Sequence, residues 1–437
     1  MKNRNCIKVI GAGLAGCEAA LQIAASGIPV KLHEMKPGMK SPAHNSNLPA
    51  ELVCSNSLKA ISTDNASGVL KKEMELLGSA VIESAYYNRV PAGGALAVDR
   101  DGFSQFINQK IMNNALIEYI PGEVTEIKDD EITIVATGPL TSEKLAFKIF
   151  DMAGGGMYFF DAAAPIVSAG SIDFDKAFIA SRYGKGTSDY INCPMNRKEY
   201  ADFYNFLINA DTVMLKDFEK TKVFEGCMPV EVMGKRGYDT LRFGPMKPVG
   251  LPDPRSGQEH FAIVQLRAEN IEKTSYNLVG FQTNLKFSEQ KKLLRLIPGL
   301  VNAEIERYGV MHRNTYLKSP GFLNVYFQVE KTKKLFFAGQ LTGVEGYLES
   351  AATGIIAGFN AARLYNGKDL VSPPPETLTG ALASYISCYA GKNFQPMNAN
   401  FGILPPLDEM IKNKKERKSA LAARAIESMK SFIEKLS

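Results

Sequence analysis

Histidine and cysteine are scarce in this sequence, with four and six among 437 residues. Neither occurs at metal-ligand spacing, so no metal site is expected. The six cysteines (Cys6, Cys17, Cys54, Cys193, Cys227 and Cys388) form no CxxC pair and no regular framework. That pattern fits free thiols in a reducing compartment and predicts a cytoplasmic protein without structural disulfides. No apolar run approaches the ~20 residues that span a bilayer, so no membrane association is expected. The N-terminus is basic but passes through a short apolar stretch straight into a glycine turn, which reads as a first strand and not as a leader. Repeats and low-complexity tracts are also missing. Net charge is only +5, at most a weak pointer to a polyanionic partner.

What is present is the composition of an ordinary globular protein, 45% hydrophobic and 22% charged, which excludes disordered, fibrous and coiled-coil classes. The length suits a large α/β domain with one further domain. Cys6 to Ile10 reads as a buried strand, Cys17 to Ser26 as a helix and Val30 to Glu34 as a second strand, the opening of a doubly wound parallel sheet. Residues 35 to 59 form a Pro-, Ser-, Asn- and Gly-rich connection too long for an ordinary loop, and long ordered loops usually carry function. Asp101 to Asn113 reads as a helix, and Glu123 to Ile127 with Glu131 to Ala136 as a hairpin. From about Tyr183 to Gly321 the sequence becomes mixed and rich in Tyr and Lys. Lys334 to Ala338 then resumes as a strand, followed by a small-residue helix from about Glu349 to Tyr365. The basic run Lys412 to Lys418 reads as a solvated helix face.

Between the first strand and helix lies Gly11-Ala12-Gly13-Leu14-Ala15-Gly16, in the context that gives GxGxxG its meaning. Gly11 permits the turn, Gly13 lets the backbone approach a pyrophosphate, and Gly16 allows close helix-strand packing. The free N–H groups of the helix start attract an anion. Glu34, ending the second strand, is placed to accept from an adenosine ribose hydroxyl. No second GxGxxG occurs, so a dedicated nicotinamide domain is not expected. The strand ending in Thr137-Gly138, and the late Phe336-Phe337-Ala338-Gly339-Gln340-Leu341-Thr342-Gly343, resemble further FAD-binding segments of glutathione-reductase-like flavoproteins. This predicts cofactor contacts at Gly138, Gly339, Gln340, Thr342 and Gly343, although Gln340 stands where many such proteins carry Asp.

Nearly end to end, the chain resembles the TrmFO family of folate- and FAD-dependent tRNA uracil-5-methyltransferases, relatives of the MnmG flavoproteins. The resemblance rests on Val9–Gly16, Glu51-Leu-Val-Cys-Ser-Asn-Ser57, Ala97-Val-Asp-Arg-Asp-Gly-Phe103, Asp161-Ala-Ala-Ala-Pro-Ile-Val167, Phe224-Glu-Gly-Cys-Met-Pro-Val-Glu231 and Gly343-Val-Glu-Gly-Tyr-Leu-Glu-Ser350. It implies a glutathione-reductase-like Rossmann FAD domain (residues 1–185 and 325–437) split by an α+β insertion domain (186–324). It also implies methylation of uracil C5 in the tRNA T-loop, with carbon from 5,10-methylenetetrahydrofolate and reducing equivalents from NAD(P)H through FAD. The same chemistry on 23S rRNA, or a plain NAD(P)H-dependent flavin oxidoreductase of small molecules, are the alternatives. No protein partner is implied.

Such chemistry needs a nucleophile at uracil C6, and a thiolate is suited to adding and later leaving. By resemblance Cys227 is the C6 nucleophile and Cys54 its partner, handling the methylene step or deprotonating C5; the two roles stay interchangeable at this point. Tyr347 is placed to stack on a ring or relay a proton. Lys235, Arg236 and Arg242, with Arg267 and Arg313 further along, supply cations for RNA phosphates or a folate tail.

Overall fold

The computed structural model describes residues 6–41, 43–184, 189–213, 228–391 and 393–436. Ile7–Ile10, apolar and almost wholly buried, is the central strand of a five-stranded parallel sheet. Strand order across that sheet is Leu335–Phe337, Thr133–Val135, Ile7–Ile10, Val30–Glu34 and Ile117–Pro121. Val9 pairs with Leu32 on one side and Ile134 on the other. Their fully buried positions are mostly apolar, as at Ile7, Val9, Val30 and Leu32, while Lys8, Lys31 and Glu118 interrupt the runs at less buried positions. The expected hairpin at 123–136 does not form. Its second half, Thr133–Val135, pairs parallel with Ile7–Ile10 and with Leu335–Phe337, while residues 123–128 carry no strand. A buried parallel position for three β-branched residues outweighs a solvent-facing local turn.

The first helix, Leu14–Ala25, is crossed by the late helix Tyr347–Tyr365. Their backbones nearly touch: a Cβ on Gly354 would lie 2.2 Å from the Ala15 carbonyl oxygen, and one on Gly358 would lie 2.6 Å from that of Ala19. Two glycines one helical turn apart therefore set this crossing. Both helix starts come to the C-terminal edge of the sheet, where doubly wound folds bind ligands.

A second, six-stranded antiparallel sheet runs Phe178–Ile179, Tyr190–Met195, Ala262–Ala268, Ser275–Leu278, Ile166–Ser168 and Ile305–Arg307. One of its faces is packed by Tyr200, Phe203 and Leu207 of helix Arg197–Asn209 and by Leu293 and Leu294 of helix Phe287–Arg295. Two of its strands precede residue 185, so the boundary expected at 185/186 falls inside this sheet. The switch in composition near Tyr183 marks a turn within the second unit, because β-strands of both units are built from the same apolar residues. An antiparallel ribbon, Gly156–Ala162 with Met311–Leu317, joins the two units. Among the described residues no helix is long and apolar enough to cross a membrane.

Buried carboxylates satisfy helix starts at long range. Glu73, wholly buried on helix Ala66–Leu76, accepts from the N–H groups of Leu378 and Thr379 (2.7 and 2.9 Å) and from the Thr379 hydroxyl (2.7 Å). Burial pushes its pKa up to about 7, against the hydrogen bonds that lower it. Because the folded value exceeds the ordinary 4.5, the folded protein holds the extra proton more tightly. This group's stabilising contribution is complete below about pH 4.5 and is lost as pH rises through about 7. Relative to Glu73→Gln, the wild type is expected to lose about 3 kcal/mol of unfolding free energy across that window. Denaturant titrations at a series of pH values measure it, and a pH-independent difference between the two proteins contradicts it.

Candidate active site

Backbone geometry builds the anion cradle. Gly11 takes φ +99°, and a Cβ there would meet the Ala136 carbonyl oxygen at 2.6 Å. On Gly16 a Cβ would lie only 1.7 Å from the Gly11 carbonyl oxygen, whereas at Gly13 it would meet nothing within 4 Å. Gly11 and Gly16 are thus needed for packing, and Gly13 leaves space for a ligand. The first helix has no acidic residue in its first turn and no side-chain cap, so its positive end is left for an anion. Leu14 and Ala15 are buried beneath the late helix; only their backbone N–H groups are available at the turn.

A crevice beside the turn is lined by Gly11, Gly13, Glu34, Lys36, Thr137 and Thr141. Glu34 accepts from Ala12 N–H (2.7 Å) and Lys36 N–H (3.1 Å), one on each carboxylate oxygen. Each oxygen keeps a further lone pair, so the carboxylate braces the turn and still has acceptor capacity for a hydroxyl. Gly138, at φ +67°, has open space around it. The long 35–59 connection is pinned by the buried pair Lys36–Glu51 (3.3 Å) and by Glu51 accepting from the N–H groups of Asn45 and Ser46.

At the late turn, Gly339 has φ +79° and Gly343 φ +93°. Thr342 donates its hydroxyl to the Gly339 carbonyl (2.8 Å) and is fully buried, so this side chain closes the turn. The Gln340 amide donates to Glu345. The turn thus uses the Thr342 hydroxyl and one Gln340 N–H internally, and Gln340 keeps a second N–H and its amide oxygen.

Cys54 and Tyr347, 293 residues apart, are brought together. The Tyr347 hydroxyl accepts from Cys54 N–H (2.8 Å) and Ser55 N–H (3.3 Å), and its oxygen lies 3.1 Å from Cys54 Sγ. Two backbone donors fill the oxygen's lone pairs, which leaves the O–H proton to point at sulfur. Burial drives the Tyr347 pKa well above its ordinary value, and Cys54 adds to the rise. The phenol therefore stays protonated and acts as a donor to the sulfur.

Three guanidinium groups hold this loop. Arg100 donates to the Leu52 carbonyl and pairs with Glu269. Arg267 donates to Asn56 Oδ1 (2.9 Å) and Ser55 Oγ (3.0 Å), and Arg307 to the Val53 carbonyl (2.8 Å). Burial lowers the pKa of Arg267 and Arg307; on Arg100 it acts the same way but is outweighed by Glu269. Sequence reasoning gave Arg100 and Arg307 no role and placed Arg267 among surface cations. The available signal was an arginine interrupting the apolar strand Ala262–Ala268 on the face away from the core.

The surface cations are not brought to this loop. Arg242 stacks 3.6 Å over the Phe261 ring, donates to the Phe261 carbonyl and pairs with Asp239. It is therefore committed within the second unit and is not a free phosphate ligand. Phe261 precedes the strand whose far end carries Arg267, about 20 Å away at ~3.3 Å per residue. Lys235 and Arg236 are exposed, on and just after the short helix Val230–Lys235. Cys227 lies outside the described residues, as does the side chain of Arg313.

A parallel sheet with a glycine cradle at one helix start, and a half-buried thiol loop at the start of a second, defines an FAD-binding flavoprotein of the two-dinucleotide-fold class. Comparisons narrow this. Residues 6–369 match the family described as Glucose inhibited division protein A. The chain is 57% identical over 432 residues to Methylenetetrahydrofolate--tRNA-(uracil-5-)-methyltransferase TrmFO of Acetivibrio thermocellus, covering 99% of both chains. It is 54% identical over 431 residues to the protein of the same name in Enterococcus faecalis, covering 98% of this chain and 99% of that one. The chain belongs to the GidA family and, within it, to the TrmFO group. GidA of Aquifex aeolicus shares the fold, with a TM-score of 0.71 at 17% identity over 99% of this chain and 74% of that one.

Proposed function

We propose that the protein methylates uracil C5 in tRNA, within the T-loop, using 5,10-methylenetetrahydrofolate and NAD(P)H. The names carried by relatives that align over nearly their whole length support the reaction. The observation that carries it in this chain is the Cys54 thiol, aimed at by the Tyr347 hydroxyl and ringed by Arg100, Arg267 and Arg307 where the two sheets meet.

Residues at the glycine turn suit FAD: the N–H groups of Gly13 to Gly16 would hold its pyrophosphate, Glu34 its ribose and the Gly339–Gly343 turn its flavin end, and the bound, reduced cofactor would supply the hydride that turns the transferred methylene into a methyl group. Cys227 adds to uracil C6, making C5 nucleophilic. Cys54, hydrogen-bonded to Tyr347 and electrostatically coupled to Arg100 and Arg267, takes the C5 proton. Loss of that proton would expel the carrier nitrogen from the methylene now bonded to C5, and hydride arriving at the exocyclic methylene would expel Cys227 and restore the ring. The arginines also exclude water by tying Leu52, Val53 and Ser55 down at three points.

The test is to incubate purified protein with methylenetetrahydrofolate, NADPH and unmodified transcripts of tRNA and 23S rRNA, digest the RNA and quantify 5-methyluridine. Product is expected in tRNA, at the T-loop. Product confined to rRNA moves the substrate; NADPH oxidation without product in either RNA removes the function.

A further inference from the structure

In the second sheet, directly paired residues of neighbouring antiparallel strands put their side chains on the same face. Tyr190 pairs with Arg267, Arg267 with Asn277, Asn277 with Ile166, and Ile166 with Arg307. The first four side chains therefore form one row across the sheet, and Arg307, paired with Ile166 beside a β-bulge, is shown on the same side by its bond to Val53. Three of them show which way it faces, since Tyr190 donates to the Ala92 carbonyl, Arg267 to Ser55 and Asn56, and Arg307 to Val53. The row faces the first unit, and its two arginines grip the chain on either side of Cys54. Asn277 lies between those arginines, one strand from Arg267, at a spacing of about 4.8 Å. It is 4% exposed, and its Nδ2 is buried without a hydrogen-bond partner. An amide kept there unpaired, in a row whose other polar members are all engaged, points to a ligand.

We infer that Asn277 is a specificity-determining residue whose side-chain amide reads a cyclic amide, a ring C=O beside a ring N–H, with the uracil base as its source. Asparagine carries one donor group and one acceptor in a plane, which matches that edge with two hydrogen bonds. The flavin ring carries the same cyclic amide, and loss of FAD at an unchanged Tm in the variants below would identify it as the source and overturn the uracil assignment. The pterin of the folate carries the same cyclic amide. Uracil is favoured because Asn277 lies on the face turned to the thiol proposed to act at C5, so the inference rests on that reading.

Asn277→Leu and Asn277→Ala, prepared as full-length protein with FAD, test it. With no native hydrogen bond to lose, at least one of the two should unfold without substrates at a Tm equal to or above the wild type and retain FAD. The KM for tRNA should rise about tenfold, the equivalent of one neutral hydrogen bond, with a smaller change in kcat and an unchanged KM for methylenetetrahydrofolate. A rise confined to the folate KM would identify the pterin as the ring that is read and overturn the uracil assignment. Both KM values unchanged, or both variants losing Tm and FAD, would show that Asn277 is structural. If the wild type itself forms no 5-methyluridine, the functional reading fails; the Tm comparison still decides whether the amide is structurally required.

Discussion

Cys54→Ala is expected to purify yellow, with a near-normal Tm, and to form 5-methyluridine on the order of a thousandfold more slowly, the scale of loss when a member of a catalytic unit is removed. The substitution takes away sulfur but not the N–H groups of Cys54 and Ser55 that anchor Tyr347. Nor does it touch the contacts of Arg100, Arg267 and Arg307 with the neighbouring residues. Loop geometry should therefore survive while the reacting atom is gone. Reduction of the flavin by NADPH needs no thiol and should persist in stopped-flow traces. Turnover within tenfold of the wild type would remove Cys54 from the chemistry.

Gly16→Ala should give a colourless protein destabilised by about 3 kcal/mol, the upper end for overpacking where nothing can yield. The new Cβ would lie 1.7 Å from the Gly11 carbonyl oxygen, a backbone atom with no flexible end to move aside. Gly13→Ala is the contrasting case. Nothing in the protein lies within 4 Å of that Cβ, so stability should hold while flavin affinity falls, because the methyl group occupies the anion's space. Thermal melts with the flavin's visible absorbance separate the two; a yellow Gly16→Ala protein with normal stability would refute the packing argument.

The opening strand, turn, helix and second strand were legible because each rests on local rules: an apolar run, three glycines at fixed spacing and an acidic strand end. The pairing of Thr133–Val135 was not, since a short β-branched stretch fits a hairpin and a buried parallel strand equally well until its neighbours are known. The internal bonds of Thr342 and Gln340 were hidden for a related reason. Their residue types suit a ligand, but the turn uses both side chains internally.

Sequence alone determined the family and with it the cofactor class, and offered Cys54 as a candidate thiol, because spacing within a short segment fixes backbone shape. Tertiary structure decided what surrounds that thiol. Arg100 starts the helix Arg100–Met112, while Arg267, Asn277 and Arg307 come from three separate strands, whose facing follows from strand register, where a shift of one residue turns every side chain to the opposite face. Register is settled by pairing between distant strands, and no local stretch of the chain encodes it.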